Sequence, residues 1–200
     1  MTDVEYWKTT YGTTNIPVVP SKFAKFTQEF LHCVRSVIEI GSGNGRDAYF
    51  WGETCQVHAF DNAVLPENTQ TVTFHKKSMR EISGQYDLMY SRFSIHSIPE
   101  DIEDYVLSFA KSNCKYIAIE CRTDKDEIAN QLNEKNEAIN KTTYADAHYR
   151  RYINFDEFET KLKGLGFNIL FSGESDTYAP YKGYKPFCLR IIAEHIVEHI

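Results

Sequence analysis

The residues whose types and spacing most clearly indicate a chemical function form the stretch EIGSGNG (39–45). This stretch follows an apolar run and precedes a predicted helix. Glycine lets the backbone turn sharply and approach a ligand, and the N-terminus of the following helix offers free N–H groups. Asp61 lies sixteen residues after Gly45, at the end of the next predicted strand. A carboxylate there can accept hydrogen bonds from both ribose hydroxyls. The pattern predicts a site for an adenosine-containing cofactor; a glycine loop without a ligand and a dinucleotide site are the alternatives.

The spacing of the glycines separates two classes of cofactor. Gly41, Gly43 and Gly45 follow GxGxG, whereas the dinucleotide fingerprint is GxGxxG. Glu39, two positions before the first glycine, fits a site that must attract a cation. S-adenosylmethionine is a sulfonium with an ammonium group, while NAD is an anion. The stretch therefore favours S-adenosylmethionine as the cofactor.

A second group of residues has the side chains needed to bind and activate a methyl acceptor. The pKa of a histidine suits a base near neutral pH, so His96 could be a catalytic base or a substrate contact, or could only fix its turn. Arg150 and Arg151 can bind an oxyanion such as phosphate bidentately, or can form a solvated basic patch. Other acceptor-binding candidates are Glu120 and Arg122 at a strand end, His148 and Tyr149 beside the arginines, and Tyr11, Tyr178 and Tyr181 in segments that could form a lid.

Metal chemistry is not expected. His195, Glu198 and His199 match the pattern HxxEH, but they follow a predicted strand at the end of the sequence and no third ligand is evident. The charged run 124–127 is interpreted as the exposed start of a helix.

The elements that would position these residues alternate between strands and helices. Strands are predicted over 37–40, 56–60, 72–75, 86–90 and 116–120, and helices over 46–52, 99–111 and the stretch that follows a Ser21 cap. Residues 1–20 are expected to be irregular. Such alternation predicts a parallel sheet with helices on both faces, and the carboxyl ends of its strands line the ligand crevice.

The second half of the sequence departs from this rhythm. Residues 124–141 are polar and predicted to be helical, and Asn154 with Glu157 resembles a capping box that opens a helix reaching Leu165. Strands over 167–171 and 186–193 should pair antiparallel at one edge of the sheet. We expect one domain over 1–200, with an N-terminal cap and helix (1–35), a cofactor-binding half (36–122) and a substrate-side half with a C-terminal hairpin (123–200).

The sequence resembles a known family along nearly its whole length. Residues 37–61 are similar to the first two motifs of class I S-adenosylmethionine-dependent methyltransferases, and YDLMYSRFSIHSIPE (86–100) to their fourth-strand motif. The resemblance implies an α/β Rossmann-like fold with a seven-stranded, mostly parallel sheet whose last strand is antiparallel. It implies catalytic roles for His96 and Arg150. The cofactor-binding residues it implies are Trp7, Phe23, Glu39, Gly41, Ser42, Gly43, Gly45, Asp61, Asn62, Ser78, Met79, Ser91 and Phe93.

Five segments also resemble a narrower group, the small bacterial methyltransferases associated with surface-polysaccharide gene clusters. They are PSKFAKF (20–26), SRFSIHSIP (91–99), IAIECRTDKD (117–126), HYRRYINFDEF (148–158) and YAPYKGYKPFCLRII (178–192). This resemblance implies a small-molecule or glycan acceptor bearing a sugar-linked hydroxyl, a phosphate or a phosphoramidate-type group. The alternatives are a nucleic-acid or protein methyltransferase and a sensor that binds the cofactor without turnover.

Composition narrows the class of protein further. The 200 residues are 42% hydrophobic and carry a net charge of -6, so nucleic acid is a disfavoured partner. No run approaches the roughly 20 apolar residues of a membrane span, and the N-terminus lacks the basic start and apolar stretch of a signal peptide. The five cysteines form no CxxC pair. We therefore expect a cytoplasmic protein with reduced thiols.

Overall fold

The computed structural model describes residues 2–13, 18–127, 138–140, 143–145 and 149–195. Its strands are β1 (Ser36–Ile40), β2 (Gln56–Asp61), β3 (Val72–Lys76), β4 (Tyr86–Arg92), β5 (Cys114–Arg122), β6 (Ala138–Asn140), β7 (Thr143–Ala145), β8 (Tyr149–Arg151), β9 (Phe167–Ser175) and β10 (Cys188–His195). Its helices are α1 (Asp3–Thr13), α2 (Lys22–Phe30), α3 (Arg46–Gly52), α4 (Glu100–Asn113) and α5 (Phe155–Gly164).

A seven-stranded sheet with the order β3-β2-β1-β4-β5-β10-β9 forms the centre of the structure. Strands β1 to β5 pair in parallel, and β10 runs antiparallel to both of its neighbours, β5 and β9. The carboxyl ends of β1, β2, β4 and β5 therefore meet at one edge. The predicted fold class and the antiparallel pairing of the last two strands are confirmed.

Apolar side chains cover both faces of this sheet. Successive residues of a strand point to opposite faces, so Val37 and Ile38 of β1 belong to two separate core clusters. One cluster packs α2 and α3 against the sheet through side chains that include Phe23 and Trp51. The other packs α4 and α5 through side chains that include Leu107 and Leu162. Across the part of the chain that is described, no helix is long and apolar enough to cross a membrane.

Two local predictions are corrected by the structure. Residues 3–13, expected to be irregular, form helix α1. Residues 138–140, expected to be helical, form β6, which joins β7 and β8 in a small antiparallel sheet. Residues 128–137, the middle of that expected helix, lie outside the described residues. The small sheet matters for function because its last strand, β8, carries Arg150 and Arg151.

Candidate functional site

A cavity of about 960 Å³ opens at the carboxyl ends of the parallel strands. This is where an open α/β sheet places its ligands, because the loops leaving the strands diverge there. The wall combines the glycine loop after β1, the turn after β4, the inner face of α1 and the segment between β9 and β10. Of the predicted site residues, the following line the cavity: Trp7, Tyr11, Glu39, Gly41, Ser42, Asp61, Asn62, Ser78, Met79, Phe93, His96, Arg122, Arg150, Tyr178 and Tyr181.

The glycine loop adopts a conformation that side chains rarely permit. Gly41, Gly43 and Gly45 have φ values of 73°, 54° and 78°, and Gly45 is the N-cap of α3. A Cβ at Gly43 would lie 2.3 Å from Oη of Tyr11, and one at Gly45 would lie 2.6 Å from Cζ of Phe74. All three glycines therefore suit the left-handed turn, and each also lies close to a neighbouring side chain, which for the middle one is Tyr11 of α1.

Asp61 connects the end of β2 to this loop. Its Oδ2 accepts a hydrogen bond from the backbone N–H of Gly43 at 3.0 Å, while its Oδ1 accepts from Ala63 and Val64 at 2.8 and 3.0 Å. The carboxylate therefore fixes the loop as well as lining the cavity. The sequence pattern pointed to Asp61 as a ribose ligand but not to this role in holding the loop.

Glu39 is buried in the wall of the same cavity. Burial, and next the negative charge of Asp47, raise the pKa of Glu39 well above its usual value. Among the described residues, neither Oε2 of Glu39 nor Oγ of Ser42 has a hydrogen-bond partner. A buried carboxyl group of this kind fits a cationic ligand, which would supply the partner and favour the ionised form.

Asp47 is a buried residue that sequence reasoning missed. Its carboxylate accepts hydrogen bonds from the backbone N–H and the hydroxyl of Ser21 and from the hydroxyl of Tyr90, at 2.7, 2.8 and 2.9 Å. Ser21 in turn caps α2 by accepting from the N–H of Ala24. Asp47 thus ties α3, the start of α2 and β4 together at the cavity wall. Its position next to Arg46 in the loop motif gave no sequence signal for this.

Helix α1 presents one face to the cavity. Its lining residues, Asp3, Tyr6, Trp7, Thr10 and Tyr11, fall at the spacing of a single helical face. Oδ1 of Asp3 accepts a hydrogen bond at 2.8 Å from the backbone N–H of Tyr149 in β8, which links this helix to the small sheet. Burial, and next the charge of Asp61, raise the pKa of Tyr11 to about 12, so its hydroxyl stays protonated.

His96 lies in the turn after β4 and is 3% exposed. Its Nδ1 accepts a hydrogen bond from the backbone N–H of Arg122 at 3.4 Å. With Nδ1 as the acceptor, the neutral imidazole carries its proton on Nε2. The ring of Phe93 stands edge-on to this imidazole, with centroids 5.7 Å apart. The histidine therefore holds the turn, as one of the two sequence interpretations proposed, and also lines the cavity.

The ends of β4, β5 and β10 carry a network of ion pairs. Glu120 is fully buried between two arginines, with Arg92 Nε 2.7 Å from one carboxylate oxygen and Arg190 Nε 2.6 Å from the other. Glu120 therefore does not line the cavity, although it was predicted to bind the acceptor, because the two guanidinium groups cover it. Arg92 and Arg190 themselves do line the cavity, and neither was predicted as a site residue.

Arg122 is held by a second network. Its Nη1 donates to the hydroxyl of Tyr184 at 3.0 Å and lies 3.8 Å from Asp126, which also accepts the hydroxyl proton of Tyr184. Tyr181 and Tyr184 close a tight turn, because the backbone N–H of each donates to the backbone carbonyl of the other. Asp126 is fully buried, contrary to the interpretation of the run 124–127 as an exposed helix start, whereas Lys125 and Glu127 of the same run are exposed.

The two adjacent arginines of β8 point in opposite directions. Arg150 lines the cavity. Arg151 forms a buried ion pair with Glu103 of α4 and donates to the carbonyl oxygens of Ile95 and Ile98 at 3.4 and 3.0 Å. Consecutive residues of a strand face opposite sides, so only one of the pair can face the cavity. Arg151 supports the turn that carries His96 and was predicted to bind the acceptor directly.

Several other predicted residues lie outside the cavity lining. Phe23 is fully buried and stacks on Tyr90 at 5.3 Å, and the hydroxyl of Ser91 donates to the carbonyl of Ile40. The side chain of Tyr149 does not line the cavity either, and His148 lies outside the described residues. No group of side chains suited to a metal ion is present among the described residues. His195 falls within them, whereas Glu198 and His199 do not.

Neither a protein-family model nor a curated protein matches this sequence. Solved structures do align with it. The 1,6-didemethyltoxoflavin-N1-methyltransferase of Burkholderia thailandensis, solved with its acceptor and S-adenosylhomocysteine, aligns at a TM-score of 0.75 and 16% identity over 97% of this chain and 87% of that chain. The CcbJ methyltransferase of Streptomyces caelestis aligns at 0.66 and 12% identity over 98% and 99%.

A third aligned structure is the magnesium protoporphyrin IX methyltransferase of Synechocystis PCC 6803 with bound S-adenosylhomocysteine. Its TM-score is 0.63 and its identity 14%, over 97% of this chain and 85% of that chain. All three alignments span nearly the whole of this chain, so they describe the complete sheet and its helices. At these identities the similarity establishes architecture alone. The chain has the Rossmann-like fold of the class I S-adenosylmethionine-dependent methyltransferases.

Proposed function

We propose that the protein is a methyltransferase that binds S-adenosylmethionine at the glycine loop and transfers its methyl group to an anionic small molecule bound in the same cavity. The observation that carries this proposal is the loop itself. Three left-handed glycines joined through Gly43 to Asp61 open into a cavity of about 960 Å³. They do so in the fold of the methyltransferases described above.

The residues at the loop end of the cavity fit the cofactor. Asp61 lies at the end of β2, where it can accept hydrogen bonds from ribose hydroxyls. Glu39 and Ser42 contribute buried polar atoms that no described residue satisfies, and the Glu39 carboxyl suits an ammonium or sulfonium group. When bound, S-adenosylmethionine supplies an electrophilic methyl group. The chain's own task is to align that group with the acceptor and to exclude water.

The acceptor end of the cavity is cationic. Along the edge of the sheet, the lining carboxylates Glu39 and Asp61 come from β1 and β2, whereas the lining guanidiniums Arg92, Arg122 and Arg190 come from β4, β5 and β10. Among the strand residues that line the cavity, acidic side chains thus give way to basic ones along the strand order, while Arg46 of α3 and Lys77 after β3 also line the cavity. A cationic cofactor and an anionic acceptor would each meet the opposite charge, which supports an anionic acceptor.

His96 faces the acceptor as a hydrogen-bond donor. Its Nδ1 accepts from the backbone N–H of Arg122, so the neutral ring carries its proton on Nε2, and the imidazole lines the cavity wall. The proposal is therefore that His96 contacts an acceptor oxygen that is already anionic, instead of removing a proton from a hydroxyl group. Replacing His96 by Gln, whose amide N–H can take the place of Nε2–H, should leave the shape of the pH–rate profile unchanged. Loss of the acidic limb in the variant would assign His96 as a base.

The finer identity of the acceptor stays a prediction. The sequence resemblance favours a glycan-linked or phosphate-bearing acceptor from polysaccharide biosynthesis, but the three aligned structures described above do not support that association. The aligned enzymes named for 1,6-didemethyltoxoflavin and magnesium protoporphyrin IX are methyltransferases of small molecules. They favour a free small molecule over a polymer.

Calorimetry and a turnover assay test the function directly. We expect the protein to bind S-adenosylmethionine and S-adenosylhomocysteine, and to form S-adenosylhomocysteine when anionic acceptors are supplied with the cofactor. NAD is the matched control ligand because it carries the same adenosine unit but an anionic linker. Binding of NAD with no binding of S-adenosylmethionine would refute the proposal. Cofactor binding without turnover on the anionic acceptors supplied would count against an anionic acceptor and favour the sensor alternative.

A further inference from the structure

Two arginines at the ends of neighbouring strands line the acceptor end of the cavity. Arg92 is the last residue of β4 and Arg122 the last of β5, and these strands pair in parallel with Arg92 opposite Glu120. Because parallel strands end at the same edge, both side chains reach the cavity wall. Their side chains are 19% and 16% exposed, so each is largely enclosed by protein while keeping access to the cavity.

The guanidinium group of Arg92 lies against the ring of Phe93, and that of Arg122 lies between this ring and the ring of Tyr184. The central carbon of Arg92 is 4.2 Å from the ring centroid, and that of Arg122 is 5.9 Å from it. Phe93 has a φ of 57°, which is unfavourable for a residue with a side chain, and its N–H donates to the carbonyl of Glu120 at 2.8 Å. Backbone strain of this kind is concentrated at ligand sites. Here it holds an aromatic ring where two cations can stack on it.

Buried carboxylates hold the two arginines from behind. Arg92 uses Nε to contact Glu120, and a guanidinium carries four further N–H donors on its terminal amino groups. Arg122 is held by Tyr184 and Asp126 through Nη1. Glu120 is also shared with Arg190, so among these five side chains three guanidiniums contact two carboxylates.

We propose that Arg92 and Arg122, stacked on Phe93, form an oxyanion subsite that binds the carboxylate or phosphate group of the methyl acceptor. The inference rests on the proposed function, because it assigns the acceptor's anionic group to this cavity. It differs from the sequence-based assignment, which gave the anion to Arg150, Arg151 or Arg122 and gave Arg92 no role. Glu120, Asp126 and Tyr184 act as positioning residues that fix the guanidinium groups of Arg92 and Arg122.

The chemistry of the subsite selects a planar or tetrahedral oxyanion. Two guanidinium forks fixed by stacking can each donate paired hydrogen bonds to two oxygens of one ligand. A carboxylate and a phosphate share that oxygen geometry, whereas an alcohol or an amine offers no comparable pair of acceptors. The lining aromatic residues nearby, Tyr178, Tyr181 and Tyr184, would pack against the carbon skeleton that carries the anion.

Inorganic phosphate and benzoate are suitable probes, titrated by calorimetry into the full-length protein with and without saturating S-adenosylhomocysteine. We expect at least one of them to bind, and Arg92→Met and Arg122→Met each to weaken that binding by about tenfold or more. Their relative affinities for the wild type report whether the subsite prefers a phosphate or a carboxylate. Arg80→Met is the matched control, because Arg80 also pairs with a carboxylate, Asp101, and stacks on Tyr105, but lies outside the cavity.

A second variant guards against misfolding. Arg92→Met leaves Glu120 with one buried partner and could destabilise the protein, whereas Arg92→Lys keeps the charge and removes only the fork. Arg92→Lys should therefore remain folded and still weaken probe binding. Probe binding that is absent from the wild type, or unchanged in the Arg92 and Arg122 variants, overturns the subsite. S-adenosylhomocysteine affinity is measured separately in the same proteins, so its absence would count against the proposed function alone.

Discussion

Asp61 offers the sharpest test of the cofactor site because it has two separable roles. Its Oδ1 accepts from Ala63 and Val64, and its Oδ2 accepts from Gly43. Replacement by Ala would remove all three hydrogen bonds and could unfold the loop, so the informative variant is Asp61→Asn. The amide keeps one carbonyl oxygen for Ala63 and Val64 and turns an NH₂ group towards the Gly43 N–H.

The expected magnitude follows from these contacts. One hydrogen bond to a charged acceptor is lost inside the protein, which should lower the free energy of unfolding by about 1.5–3 kcal/mol. The ribose loses a carboxylate partner as well, so binding of S-adenosylhomocysteine should weaken by a similar free energy. That corresponds to a rise in Kd of roughly 10- to 150-fold. Calorimetric titration gives the Kd, and denaturant unfolding of the same preparations gives the stability.

Asp87→Asn is the matched control. The Asp87 carboxylate accepts hydrogen bonds from the backbone N–H groups of Arg35 and Ser36 at 2.8 and 3.0 Å, at the opposite end of β1. Both bonds end on Oδ2, so Asn can keep them, and its replacement should reduce stability less than Asp61→Asn does and leave the Kd for S-adenosylhomocysteine unchanged. If Asp61→Asn binds the ligand as tightly as the wild type, the assignment of the ribose to Asp61 is wrong.

Three further predictions use other parts of the structure. Gly43→Ala should weaken S-adenosylhomocysteine binding because its Cβ would lie 2.3 Å from Tyr11 Oη. Adding Tyr11→Ala should relieve that clash but not the cost of a left-handed alanine, which is roughly 1–2 kcal/mol. Equal calorimetric Kd values for the wild type and Gly43→Ala would contradict this prediction. Burial, and next the charges of His58 and Lys77, lower the pKa of His75, so the protein should lose stability as the pH falls below 6.5. Denaturant unfolding should show a smaller loss of stability for His75→Gln than for the wild type. An identical loss in the two proteins would refute this role of His75. Of the five cysteines only Cys33 is exposed, so Ellman's reagent should modify one thiol in the native protein and all five after denaturation. Rapid reaction of a second thiol in the native protein would contradict the burial of the other four cysteines.

The alternating elements could be predicted from sequence because each carries its own local signal. Helix α3 begins and ends at the residues expected from the glycine loop and the next apolar run. Helix α5 begins after Asn154, whose side chain accepts from the N–H of Glu157 as its capping pattern indicates. In both cases the information lies within a few residues of the element, so no distant contact is needed to place it.

Helix α1 was missed because its pattern does not face a core. Helices are recognised by an apolar stripe that packs against the rest of the protein. The contact face of α1 consists of Asp3, Tyr6, Trp7, Thr10 and Tyr11, which surround the cavity and mix charge with aromatic groups. The spacing of these residues is helical, and an aromatic residue repeating at Trp7 and Tyr11 was the available signal. A helix that covers a ligand cavity carries the composition of a binding site.

The sequence locates the charged residues at the strand ends. It does not show which of them line the cavity and which hold the lining residues in place. Glu120 and Arg122 were both placed correctly at the end of β5, yet Glu120 is covered by Arg190, which lies 70 residues further along the chain. Likewise Arg150 and Arg151 are adjacent in sequence but differ in role, because only Arg151 forms an ion pair with Glu103. The cationic character of the acceptor end therefore depends on which carboxylates the fold brings back to the arginines. We therefore expect the net charge of the network around Arg92, and not the number of arginines, to determine which ligands the cavity binds.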